Sequence, residues 1–268
     1  MVCYDSHSHS RLLAPVAARY ADWLGLPASA AADTGDEDSA AVRAMPLILR
    51  MERDAVPVRS ALLEAAGAAV VALCLDERAR PGGPWHPELA PWLVGRIRKV
   101  ARRARGAHWR AVTELPGVTV EHRGAQVRAL LPWLVSDTPR TVTRLQVGGT
   151  EVSPDDPDPP PEGRPVLWLA PEPAMTAGKA AAQVGHATML LAAVLGADGR
   201  SAELERWADG GYRCAVRPAT ARGWDRLIGG ENPSRAWRER GVLVVRDAGF
   251  TEVAPGTVTV AAQWRPGS

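Results

Sequence analysis

Met175-Thr-Ala-Gly-Lys-Ala-Ala-Ala-Gln-Val-Gly-His-Ala-Thr-Met189 is the stretch in which three chemically capable side chains converge on one face of an expected helix. Lys179, Gln183 and His186 are spaced i, i+4, i+7, and at about 100° per residue they fall within an arc of roughly 60°. The rest of this helix is small and apolar, the composition of a buried helix, and a lysine and a histidine on such a helix need partners or a solvent-filled cleft. Thr176 fits an N-cap, and Gly178 fits a point where the backbone comes close to another group. Lys179 then falls in the first turn, beside N–H groups that attract anions. The helix dipole disfavours a cation there, so Lys179 suggests a grip on a negative group such as a phosphate. A snorkelling lysine and a hydrogen-bonded core histidine remain the plainer alternative from this helix alone.

Working outward, Gly241-Val-Leu-Val-Val-Arg-Asp-Ala-Gly-Phe-Thr-Glu-Val-Ala-Pro-Gly-Thr-Val-Thr-Val260 reads as a strand, a turn and a second strand. Asp247 stands where the first of these strands ends, the position at which open α/β sheets bind ligands. An aspartate capping its own turn is the competing explanation. Between the two stretches the pattern predicts strand 166–170, helices 176–195 and 201–208, strand 212–217, helices 220–229 and 233–239, then strands 241–247 and 257–264. Such alternation implies a small mixed sheet with helices on both faces.

Taken together, Gly178-Lys179-x-x-Ala182-Gln183-x-x-His186-Ala187 followed by Asp247-Ala-Gly-x-Thr251-x-x-Ala254-Pro255-Gly256-x-x-Thr259 resembles the signature of the type-2 peptidyl-tRNA hydrolases. Met175 and Glu172 also stand where that family has a methionine and usually an aspartate. The resemblance covers roughly residues 165–264. It implies an α/β fold, an α/β/α sandwich on a small mixed four-stranded sheet. It also implies hydrolysis of the ester between a peptide, or N-blocked aminoacyl group, and tRNA, without a metal or organic cofactor. By the same resemblance the site holds Lys179, His186, Asp247, Thr251 and Thr259, with Gly178 and Gln183 binding substrate. Asp247, with His186, would activate water, and Lys179 would stabilise the oxyanion or the terminal phosphate. Ala170 stands where the family commonly has an arginine. Ala262-Gln263-Trp264-Arg265-Pro266 replaces its closing Gly-Ile-Gly-Pro. These departures keep open an alternative function, a catalytically inactive tRNA- or rRNA-binding protein on the same scaffold.

The chain has 268 residues, 46% hydrophobic, enough for one large domain or two small ones. Residues 1–44 read as a largely disordered segment with a possible short helix from Leu12 to Leu24. His7 and His9 in that segment are not expected to bind anything. Residues 150–164, acidic and proline-rich, read as a linker that cannot pack or pair as a strand. The expected organisation is therefore 1–44, a domain at 45–149, the linker, and a hydrolase-like domain at 165–268. Cys3, Cys74 and Cys214 are odd in number and far apart, which argues against a disulfide framework or zinc site and fits a reducing cytoplasm. Neither a secretory leader nor a membrane span is expected.

Pro46–Val70 aligns without gaps on Pro165–Met189, and Gly117–Ala129 on Gly249–Ala261, as if one unit were used twice. In this register Ser60, Glu64, Gly67 and Leu115 replace Lys179, Gln183, His186 and Asp247, so the first copy would have the scaffold without the site. An internal pair of this kind predicts a monomer rather than a homodimer. Coincidence between two alanine-rich helices is the alternative. Arg96-Ile-Arg-Lys-Val-Ala-Arg-Arg-Ala-Arg105 is dense in cations. Read as part of a helix over 88–105, it offers Arg96, Lys99 and Arg103 to an RNA phosphate backbone, or else is a solvated helix face.

Overall fold

The computed structural model describes residues 12–25, 30, 33–35, 37–148, 151–229 and 232–264. The chain begins with helix α1 (Ala14–Gly25) and strand β1 (Arg43–Arg50), followed by helices α2 (Arg59–Cys74) and α3 (His86–Leu93). Strand β2 (Lys99–Ala104), helix α4 (Gly106–Thr113), strands β3 (Gly117–His122), β4 (Ala125–Leu130) and β5 (Trp133–Leu134), helix α5 (Arg140–Thr143) and strand β6 (Gln146–Val147) complete the first half. The second half runs β7 (Val166–Leu169), α6 (Ala177–Ala197), α7 (Ser201–Asp209), β8 (Ala215–Pro218), α8 (Ala221–Ile228), α9 (Pro233–Arg240), β9 (Val242–Arg246) and β10 (Val258–Gln263).

These elements build two mixed sheets, one of six strands and one of four. In the second, the order is β8-β7-β10-β9, with β7 parallel to β8 and antiparallel to β10. In the first, β1 is parallel to β2 and antiparallel to β4, and β3 pairs with β4. Numbered within its own half, each four-strand set therefore reads second, first, fourth, third. The two-residue strands β5 and β6 enlarge the first sheet. The expected strands and helices from 166 to 264 all form, within a few residues of the bounds read from the pattern.

Helices α2 and α6 pack directly on each other, and each also reaches the other half, α2 touching β8 and α6 touching β2. Both are almost wholly buried. By length and composition α6 could cross a membrane, but here its apolar surface faces protein. Two glycines allow the close approach: a Cβ at Gly67 would lie 2.9 Å from Val184 and Thr188, and one at Gly185 would lie 2.8 Å from Val70. The Thr188 hydroxyl donates to the Gly67 carbonyl at 2.8 Å, closing the crossing. One hydrophobic core runs through both halves, joining Leu47, Leu49 and Val127 to Leu167, Val216 and Val260. Smaller apolar clusters lie under α4 and α5 on the far face of the first sheet, and under α8 and α9 on the far face of the second.

Four expectations need correction. The basic run at 96–105 is not helical: α3 ends at Leu93, Ile97 takes a left-handed φ of 46°, and Lys99–Ala104 is a strand. A β-branched residue at positive φ is incompatible with continuing a helix. Second, residues 12–44 are not disordered where described. Leu12, Leu13 and Val16 are buried in the shared core, and Tyr20 caps the outer edge of β9, its hydroxyl donating to Val244 O (2.8 Å) and accepting from Val244 N (3.0 Å). His7, His9, Cys3, Arg265 and Pro266 lie outside the described residues.

Third, the proline-rich stretch forms no strand, but it does pack. Val152 is buried, Asp158 O accepts from Arg217, and Asp155 caps α2 by accepting from Ser60 N (2.9 Å) and Ser60 Oγ (2.6 Å). Val58 supplies no side-chain cap, so this carboxylate takes the N-terminal role. Fourth, Leu115 is not the counterpart of Asp247, since Leu115 precedes β3 whereas Asp247 follows β9. Only Arg123 and Gly124 separate β3 from β4, whereas residues 247–257 separate β9 from β10, and an ungapped alignment cannot absorb that difference.

Candidate active site

The N-terminal half of α6 and the β9–β10 loop meet through Thr176, Lys179 and Gln183. Thr176 caps α6 by accepting from Lys179 N (3.2 Å), and its own N–H and hydroxyl donate to the Glu252 carboxylate (3.0 and 2.7 Å). The loop is thereby tied to the helix start. At the loop base, Asp247 N donates to Thr257 O (2.8 Å) and Asp247 O accepts from Gly256 N (2.7 Å). Gly249 has φ 80°, and a Cβ there would meet the Pro255 ring at 2.5 Å, so this position requires glycine.

Asp247 is the hub. Its Oδ2 accepts from Lys179 Nζ (2.6 Å) and Gln183 Nε2 (2.7 Å), and its Oδ1 accepts from Gly249 N (2.7 Å). Lys179 also donates to the Thr251 hydroxyl (2.9 Å), while the Thr259 hydroxyl donates to Gln183 Oε1. Asp247, Gln183 and Thr259 are buried, and the Lys179 side chain is only 9% exposed. Further hydrogen bonds, from Gln183 and Gly249 to the carboxylate and from the ammonium to Thr251, support this nearly dry charge pair. The structure thus brings Lys179, Gln183, Asp247, Thr251 and Thr259 into one bonded cluster. The ammonium expected to meet substrate already spends two of its three hydrogens on Asp247 and Thr251.

A cavity of about 500 Å³ opens beside this cluster, and Gly178, Lys179, Gln183, His186, Asp247 and Thr251 line it. The first half also lines it, through Tyr20, Leu93, Ile97 and Lys99. Among the described residues His186 forms no hydrogen bond or ion pair with Asp247. Its Nδ1 lies 3.1 Å from Lys99 Nζ, and burial, then Lys99 and Lys179, hold its pKa well below the ordinary imidazole value. Both effects favour the neutral imidazole.

The other two cations expected to hold RNA have partners elsewhere. Arg96 lies in the loop before β2 and pairs with Glu37 at 3.6 Å, while Arg103 donates to Gln146 of β6 at 3.0 Å. Sequence reading missed Tyr20, Gly249 and Glu252, and it missed that Lys99 reaches the site itself. Gly249 alone carried a signal, as glycine in an Asp-Ala-Gly turn.

At the position aligned with Gln183, Glu64 accepts from Arg217 Nη1 (2.8 Å) and Val216 N (3.0 Å) and lies 2.9 Å from His122 Nε2. This cluster joins α2 to β8 and β3. Among the described residues no group of three His, Cys, Asp or Glu is placed to hold a metal ion.

Residues 169–266 match the family model described as Peptidyl-tRNA hydrolase PTH2. The matched segment contains the whole Lys179–Asp247–Thr259 cluster, whereas Tyr20, Leu93, Ile97 and Lys99 lie outside it. No curated protein and no solved structure matches the chain.

Proposed function

We propose that this protein hydrolyses the ester between a peptide, or an N-blocked aminoacyl group, and tRNA, in the cytoplasm, returning free tRNA to translation. The observation that carries this reading is the carboxylate of Asp247, held at the edge of a cavity by Lys179, Gln183 and Gly249, within the segment that matches a hydrolase family. Ester hydrolysis needs an activated water and stabilisation of the developing oxyanion. Asp247 is the group able to take a proton from water, and Lys179 holds it in place. The third hydrogen of Lys179 supports the oxyanion. Thr259 acts through Gln183, and Thr251 through Lys179, as positioning residues.

Arg19, Arg96 and Arg98 border the cavity and would attract the anionic tRNA end. The shared strand order of the two halves, with α2 packed on α6, supports reading the first half as a degenerate copy that takes the place of a second subunit. The protein then works as a monomer, and a single chain mass by light scattering is the expected result.

The test is release of tRNA from N-acetylaminoacyl-tRNA by the purified full chain, with Asp247→Asn as control. Turnover lost in the variant supports the reading. Absence of turnover together with salt-sensitive tRNA binding would overturn it in favour of a binding protein on the same scaffold.

A further inference from the structure

Lys99 lines the same cavity as Lys179, on β2, outside the segment that matches the family. Its Nζ lies 3.3 Å from Ile97 O, 3.1 Å from His186 Nδ1 and 3.6 Å from Met189 Sδ, and 4.9 Å from the centre of the Trp92 ring. An ammonium has three hydrogens and no acceptor, and three acceptors surround this one. Trp92 adds its negative face. The His186 nitrogen turned to Lys99 is then an acceptor. A neutral imidazole with Nδ1 accepting carries its single hydrogen on Nε2. No residue among those described bonds Nε2, and His186 lines the cavity.

We propose that Lys99, supplied by the first half of the chain, fixes His186 as its Nε2–H tautomer. His186 thereby becomes a hydrogen-bond donor into the cavity, aimed at the ester carbonyl oxygen, rather than a base. The clause about the ester rests on the hydrolase reading above; the tautomer does not. Lys99 is in these terms a positioning residue, and the first half completes the site of the second by reaching across the α2–α6 crossing.

The charged and titratable groups around this pair are few. Cys74 faces Lys99 from α2, with its thiol pushed up to about 12 by burial, and Lys179 faces His186 from about two turns earlier on α6. The loop carboxylates that line the cavity have other partners, Asp247 pairing with Lys179 and Glu252 accepting from Thr176. Burial brings Lys99 itself down to about 7. Loss of its proton turns the amine into an acceptor for Nδ1–H, which frees the Nε2–H constraint.

The experiment is long-range ¹⁵N correlation of the imidazoles in the labelled full chain, with His186→Gln to assign the signal. At pH 6 the wild type is expected to show the Nε2–H pattern, and near pH 8 the pattern should shift toward a mixture. In Lys99→Arg, whose guanidinium stays charged, the pattern should hold across the range, and in Lys99→Met the mixture should appear at all pH values. An Nδ1–H or imidazolium pattern in the wild type at pH 6, or an unchanged pattern in Lys99→Met, overturns the proposal. In turnover of N-acetylaminoacyl-tRNA, Lys99→Met is expected to lose roughly tenfold to a hundredfold in kcat with little change in KM, and Lys99→Arg to recover most of it. Loss in KM alone would also overturn the assignment. A wild type without turnover would sink the hydrolase reading and leave the tautomer to be decided by the spectra.

Discussion

The Thr259 hydroxyl donates to Oε1 of Gln183, and this bond decides which end of the Gln183 amide faces Asp247. With Oε1 accepting from Thr259, the amide must present Nε2 to the carboxylate, so a threonine on β10 orients Asp247 without touching it. Thr259→Val keeps the shape, removes the donor and lets the amide rotate. An unsatisfied buried acceptor costs about 1–3 kcal/mol. Turnover is expected to fall by roughly tenfold, since each ~1.4 kcal/mol is one power of ten. The measurement is kcat on N-acetylaminoacyl-tRNA beside the unfolding midpoint. Unchanged kcat would show that the amide is held from elsewhere.

Lys179 and Asp247 form an ion pair at 2.6 Å with both side chains under 10% exposed. Removing one partner leaves the other charge buried and unpaired, at a cost of about 3–5 kcal/mol. Lys179→Met is therefore expected to lower stability and abolish turnover. The double variant Lys179→Met, Asp247→Leu should be more stable than Lys179→Met alone, because no lone carboxylate is left inside. Chemical denaturation of wild type, Lys179→Met, Asp247→Leu and the double variant measures this coupling. Strict additivity of the single variants would mean that the pair contributes nothing as a pair.

Tyr20 reaches β9 from α1 and satisfies both the N–H and the C=O of Val244 on the sheet's outer edge. Tyr20→Phe removes one oxygen and leaves two backbone groups without their partner, so a loss of about 1–3 kcal/mol is expected in urea unfolding. Because Asp247 follows β9 directly, kcat should drop as well. A variant as stable and active as the wild type would reduce α1 to packing alone.

How far the sequence could be read depends on which period its side chains keep. Helix α6 was legible because its small apolar residues leave a single polar stripe, and the same stripe announced Lys179, Gln183 and His186 as neighbours. Asp247 was legible from the strand end before it. Strand β2 was not, because alternation there puts Lys99, Ala101 and Arg103 on one face and Val100, Arg102 and Ala104 on the other. Cations and apolar groups are thus mixed on both faces, and only the cations, at helical spacing, catch attention. Packing against α6 overrides that spacing, and Lys99 turns inward to His186. The Pro-rich stretch misled for a related reason. Proline excludes strand and helix, but Val152 and Asp155 still bind the folded surface.

Lys99 and His186 also give stability a pH dependence whose sign can be worked out. Both have folded pKa values below their unfolded ones, Lys99 at about 7 against the ordinary 10.5 and His186 well below 6.5. Between about pH 7 and 10 the unfolded chain therefore binds the Lys99 proton that the folded chain has released. Where the unfolded state holds more protons, stability rises with pH. For His186 the same holds below pH 6.5, so stability falls as the solution is acidified through that value. Cys74 and Cys214 act in the opposite sense above about pH 9, since burial raises both thiols and the unfolded chain loses those protons first. The Lys99 contribution is isolated by comparing wild type with Lys99→Met between pH 6 and 9. The variant is expected to be the more stable at pH 6, where the wild type must bury an ammonium, and the gap should close toward pH 9. A gap that stays constant across this range would mean that Lys99 keeps its proton throughout.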